Sequence, residues 1–311
     1  MTTTSPRPVT SPLARKMDNP YFDWSPISTR KPLVWPDRAR VAFAIVVTLE
    51  HLNWYPPADA IVPPNVRINR AYPTQPDVHT TSLYEYGNRV GVFRVMDVLR
   101  KHAIRPIVAM DSEVIDHSPG LLSYLSDHGA EFVGHGVSSD QMITSAMAEE
   151  EEIRLIDSAL ATLRERSGQP VRGWSGSAYG ESPRTVRLLA ERGVDYVLDW
   201  PTDEQPHPLN VPTGRMTNLP VMIELDDVVQ HVGRFIPIER FTRSITEQFD
   251  RLHLDGETTG RLFILNVHPW VTGQPFRIKY FERAIAHIAA QEDVWFATGA
   301  EIVDWHLKNG R

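Results

Sequence analysis

"VAFAIVVTLEH", residues 41–51, decides the architecture. Its first nine positions carry no charge and a single hydroxyl, and it then stops on Glu50 and His51. A strand with one wet face alternates polar and apolar side chains. A run this continuous is covered on both faces, as in a parallel sheet packed under helices. Comparable runs recur at 105–111 (RPIVAMD), 131–136 (EFVGHG), 171–177 (VRGWSGS), 196–200 (YVLDW), 219–225 (LPVMIEL), 262–268 (LFILNVH) and 294–299 (VWFATG).

Helical patterns lie between them, at 88–103, 145–166, 182–193 and 277–290. In the second, Ile153, Ile156, Leu160 and Leu163 recur at helical spacing, and the acidic run Glu149 to Glu152 sits near the start, where the helix dipole favours it. In the third, Ser182 is placed to cap, Pro183 takes the first helical position and Gly193 closes. Seven or eight strand–helix units in one chain predict a single (β/α) barrel over residues 39–311. Residues 1–38, rich in Ser, Thr and Pro, read as an arm. Its start is expected to be disordered, and the aromatics of "NPYFDWSP" are expected to dock on the domain or on a neighbouring subunit.

Composition narrows the function. Among 311 residues, 32 Lys and Arg face 39 Asp and Glu, so the net charge of −7 argues against a nucleic-acid partner. There is no cysteine, which excludes disulfides, thiolate metal sites and cysteine nucleophiles. The N-terminus lacks the apolar core of a signal peptide, and no run approaches the roughly 18 apolar residues of a membrane span. The expectation is a cytoplasmic protein acting on a small molecule.

In a barrel of this kind, chemistry sits where strands end and loops begin. The predicted ends carry Glu50 and His51, Asp111, His135, Trp174 to Ser177, Asp199 and Trp200, Glu224, and His268. "EFVGHGVSSDQM" (131–142) raises the question most sharply, because its strand stops on His135 between two glycines. A sharp backbone bend there would leave the imidazole facing the barrel mouth.

Several stretches together resemble the polysaccharide deacetylase superfamily, and within it the allantoinase-like branch: "VTLEH" (47–51), "YGNRVGVFRVMDVL" (86–99), "GHGVSSD" (134–140), "RGWSGSAYGESPRTVRLLAERGVDYVLDW" (172–200), "DEQPHPL" (203–209) and "NVHPWVTGQPFRIKY" (266–280). The resemblance implies a distorted (β/α)7 barrel, hydrolysis of a C–N bond outside peptides, and a homo-oligomer. Sugar deacetylases carry T-F-D-D at the first strand, where this chain has Thr48-Leu49-Glu50-His51. Their paired metal histidines stand four apart, whereas His135 is followed by Ser139 and Asp140.

Two chemical accounts stay open. In a metal-free site, buried Glu50 acts on water as general base, and His135 and His268 bind the amide oxygen or protonate the leaving nitrogen. In the other, His51, His135 and Asp140 form a two-His, one-carboxylate set suited to one divalent metal such as zinc. Arg89, Trp174, Tyr179, Glu181, Trp200 and Trp270 are candidate substrate-binding residues, the aromatics as walls for a flat ring. The reading that follows is ring opening of a small cyclic amide, whether ureide, imide or lactam. A metal-dependent deacetylase of a small N-acetylated substrate and a catalytically silent binding barrel are the alternatives.

Overall fold

The apolar run forms the central strand of the computed structural model, which describes residues 18–58, 60, 61 and 76–309. This strand, β1 (Val41–Leu49), is buried throughout, and its side chains alternate between two apolar layers. Val41, Phe43, Ile45, Val47 and Leu49 join the outer helical layer, while Ala42, Ala44 and Val46 belong to a second, inner cluster. With both faces buried, no polar alternation was available to the sequence.

β2 (Ile107–Asp111), β3 (Glu131–Gly136), β4 (Gly173–Trp174), β5 (Tyr196–Val197), β6 (His207–Leu209), β7 (Met216–Asn218), β8 (Arg261–Val267) and β9 (Val294–Phe296) complete one curled sheet. The order is β6-β7-β5-β4-β3-β2-β1-β8, parallel except for the antiparallel β6–β7 pair. β9 pairs with Val41 to Phe43 and β2 with Val46 to Leu49, so they share one edge of β1 in succession. Towards the far side the sheet is bridged by single backbone bonds, Met222 N–H to the Ile264 carbonyl (3.1 Å) and Leu262 N–H to the Glu204 carbonyl (2.8 Å). The result is the distorted (β/α) barrel that the alternation predicts.

One predicted strand is corrected. The run 219–225 lies beyond β7, because Pro220 has no N–H for a ladder, and Ile223–Leu225 turns as a 3₁₀ segment.

The helices are α1 (Val78–Tyr86), α2 (Val92–Lys101), α3 (Ser112–His117), α4 (Leu121–Asp127), α5 (Glu149–Ser167), α6 (Thr185–Glu191), α7 (Ile238–Asp255), α8 (Pro269–Thr272), α9 (Ile278–Ala289) and α10 (Gly299–Asn309). α1 and α2 are joined through a π-helical turn, Gly87–Gly91. The regular part of α6 begins at Thr185, after a turn in which Ser182 Oγ accepts from the Arg184 N–H (3.0 Å), as a cap does, and donates to the buried Glu152 carboxylate. None of the described helices is long and apolar enough to cross a membrane.

Residues 18–38 lie on their own barrel. The Tyr21 hydroxyl donates to the Pro183 carbonyl (3.2 Å) and Arg30 pairs with Asp203. Trp35 is buried at the end where the strands begin, donating from Nε1 to the Arg261 carbonyl at 2.8 Å. Ile302 and Val303 of α10 join the same inner cluster.

Candidate active site

β1 delivers Glu50 to the barrel mouth. Its backbone carbonyl accepts from Asn88 Nδ2 (2.8 Å), and its side chain accepts from Trp270 Nε1 (3.0 Å) and Ser139 Oγ (3.4 Å). Burial raises the carboxyl above its ordinary range; the charge on His268 opposes the shift and that on Asp226 reinforces it.

His268 follows β8 and stands before Pro269, which starts α8. Asp227 grips it twice, accepting from the backbone N–H at 3.0 Å and from Nδ1 at 2.7 Å. A carboxylate only accepts, so Nδ1 carries the hydrogen and Nε2 points onward, 4.0 Å from Glu50 Oε2. Thr272 Oγ1 donates to the other Asp227 oxygen at 2.6 Å. Burial alone would discharge this imidazole. The Asp226 and Asp227 charges, the Asp227 hydrogen bond and Glu50 outweigh it and push the pKa up to about 10. Asp226 is itself fixed by the Tyr179 hydroxyl (2.6 Å), Asn266 Nδ2 (2.9 Å) and the N–H of Val228 (2.8 Å).

His135 has the opposite character. Its Nδ1 donates to the Ser175 carbonyl at 2.5 Å, and burial pulls its pKa down to about 4, helped by the positive charge of His268. The flanking glycines have separate reasons. A Cβ on Gly134 would lie 2.6 Å from the Trp174 ring, and Gly136 adopts φ +135°. Behind His135, Asp199 accepts from Gly176 N–H (3.0 Å) and Ser175 Oγ (3.3 Å), fixing the turn that presents the carbonyl. Burial raises Asp199 to about 7 and, with the Asp199 charge, raises Glu181 well above the carboxylate range.

No family model matches the sequence. A Schizosaccharomyces pombe protein named "Putative polysaccharide deacetylase" is 24% identical over 249 residues, 73% of this chain and 76% of that protein. The crystal structure of a "probable Polysaccharide deacetylase" from Pseudomonas aeruginosa PAO1 superposes with a TM-score of 0.78 at 25% identity, over 88% of this chain and 93% of that one. That of "Puue Allantoinase" superposes with a TM-score of 0.82 at 24% identity, over 91% and 96%. The chain has the polysaccharide deacetylase fold. The resemblance read from its motifs, to the superfamily and to the allantoinase-like branch, holds at that level.

Within this polysaccharide deacetylase fold the expected metal set does not assemble. Among the described residues, the group that brings three possible ligand atoms within 4.8 Å is Asp226, Asp227 and His268, not His51, His135 and Asp140. Asp140 is consumed by Asn53 N–H (3.0 Å), Asn53 Nδ2 (3.2 Å) and Ser138 Oγ (2.7 Å). His51 stacks on His117 at 4.3 Å, beside a cleft of about 560 Å³. To share a cation, Nδ1 of His268 and Oδ1 of Asp227 would have to move apart. Their 2.7 Å contact is a hydrogen bond, whereas two tetrahedral zinc ligands stand about 3.3 Å apart.

The substrate-binding candidates divide. Trp270 and Tyr179 touch the centre, through Glu50 and Asp226 respectively. Glu181 and Trp200, bonded to each other at 2.9 Å, line a neighbouring cavity of about 380 Å³ with Tyr179 and Asp199. Arg89 lines the His51 cleft. Trp174 is a correction: it is fully buried in the outer core against Gly134 and has no exposed face to offer a ring. Glu224 is another, exposed and paired with Arg234. The acids at that end of the barrel are Asp226 and Asp227, which strand-end reasoning missed by two residues.

Proposed function

We propose that the protein is a hydrolase of non-peptide C–N bonds that opens the ring of a small cyclic amide. The observation that carries this is the Glu50–His268–Asp227 line, with Nε2 4.0 Å from Oε2 and Nδ1 2.7 Å from Asp227. A buried base stands beside an imidazole held in its protonated state, the pairing that acid–base hydrolysis requires.

Glu50 takes a proton from water as its oxygen bonds to the ring carbonyl carbon. Collapse of the tetrahedral adduct breaks the C–N bond, and His268 Nε2 gives its proton to the departing nitrogen. Glu50 then holds one proton and His268 lacks one, and transfer between them restores both. His135 cannot be the acid, because its only ring hydrogen is committed to Ser175. Asp227 positions and charges His268 without reacting. No step needs a metal.

The test is to incubate purified protein with succinimide, hydantoin and allantoin, following ring loss and product by NMR with and without a chelator. Ring-opened acid formed at an unchanged rate is expected. The grouping of Asp226, Asp227 and His268 favours a second reading, a metal-dependent deacetylase. Acetate released from an N-acetylated sugar, lost on chelation, would put that reading first.

A further inference from the structure

We propose that His135 selects the substrate, accepting on Nε2 a hydrogen bond from a ring N–H, so that unsubstituted cyclic amides, imides and ureides are taken and N-alkylated ones refused. This rests on the ring-opening reading above.

The Ser175 carbonyl can only accept, so at 2.5 Å it fixes the hydrogen of His135 on Nδ1 and the lone pair on Nε2. That Nε2 is buried and has no partner among the described residues, on a residue only 4% exposed. Leaving a buried acceptor unpaired is costly, and a ligand that supplies the donor removes that cost. The lone pair is also aimed in advance, because Asp199 anchors the 175–176 turn through Ser175 Oγ and Gly176 N–H. Burial keeps the ring neutral, with its pKa down at about 4, so the acceptor persists at working pH. A cation is the poorer occupant, since no two further His, Asp or Glu ligand atoms among the described residues gather with it.

His268, near enough for its charge to act on His135, carries a hydrogen on Nε2 where His135 carries a lone pair on Nε2, and Glu50 follows the strand two places along the sheet from β3. A cyclic secondary amide presents the matching pair, an N–H donor next to a polarised carbonyl and its leaving nitrogen. An ester ring offers no donor to His135, and an N-methyl ring puts carbon where the lone pair points.

The experiment compares kcat/KM for succinimide and N-methylsuccinimide in the wild type and in His135→Asn. Asparagine keeps an N–H for the Ser175 carbonyl, lacks the Nε2 acceptor and leaves room for the methyl. The wild type is expected to prefer succinimide by at least about a hundredfold, as sites built around one hydrogen bond do. In His135→Asn the preference is expected to fall below about tenfold, chiefly through loss on succinimide. Wild-type rates within about threefold of each other would overturn the proposal, and that comparison needs no variant to fold. A preference undiminished in folded His135→Asn would overturn it equally. Failure to turn over or bind either ring would remove the ring-opening reading, and this inference with it, whereas ring opening without N–H preference leaves that reading standing.

Discussion

Three carboxylates, Glu50, Asp226 and Asp227, surround the single imidazolium of His268, so the centre holds more negative charge than it balances. Removing one acid should therefore cost activity and relieve the fold. Glu50→Gln keeps an acceptor for Trp270 but no base. A fall in kcat of at least about a thousandfold is expected, with a melting temperature about 1–3 °C higher, read by steady-state kinetics and calorimetry. In the proposed mechanism turnover depends on ionised Glu50 and protonated His268. It should rise with pH as the elevated Glu50 pKa is passed and fall as pH approaches about 10, where His268 loses its proton. Asp227→Asn removes one charge holding that proton, so the alkaline limb should move to lower pH; an unmoved limb in the kcat profile would sink the assignment of His268 as the acid. Glu50, His135 and His268 were legible because each closes an apolar run with a group that packing does not favour. Asp226 and Asp227 were hidden by Pro220, which ends the ladder early and leaves the doublet in a turn that shows no strand periodicity.

Among the elements, the π-helical turn Gly87–Gly91 matters most to the site. It lays the helix against the start of α8, so closely that a Cβ on Gly91 would fall 2.1 Å from the Pro269 carbonyl oxygen. Pro269 directly follows His268, and Trp270 holds Glu50, so this contact positions both groups of the proposed mechanism. Gly91→Ala must push α8 away. A stability loss of about 1–3 kcal/mol by overpacking is expected, together with a drop in kcat of about a hundredfold from misplacement of reacting groups by an ångström or so. Activity retained at full level in a folded Gly91→Ala protein would show that α8 does not position the centre. The helical pattern of 88–103 was readable, but the π turn was not, because its cause is a tertiary contact made nearly 180 residues further along the chain. Trp174 failed for a related reason: its place at a strand end says nothing about which face of the sheet its ring takes.

At the scale of the molecule, stability and chemistry occupy opposite ends of the barrel. The mouth carries buried, mutually repelling acids, while the end where the strands begin is closed by apolar packing of Trp35 with α10 and the inner residues of β1 and β8. The arm had been expected on the domain or on a neighbouring subunit; its described part, residues 18–38, docks on its own barrel, and Trp35 is the anchor. That ring sits 5.7 Å from the Trp295 ring, and its Cδ1 would lie 2.6 Å from a Cβ on Gly260. Trp35→Ala removes this packing and leaves the Arg261 carbonyl without its donor, so a loss of about 3–5 kcal/mol is expected. Glu50, His135 and His268 touch none of these groups, so kcat per folded molecule should stay within about twofold of the wild type at a temperature well below the lowered melting point. Denaturant unfolding and active-site-normalised kinetics on the same preparation separate the two quantities. A kcat that falls in step with stability would mean that the closed end of the barrel controls the geometry of the mouth, and that the division of labour between the two ends is wrong.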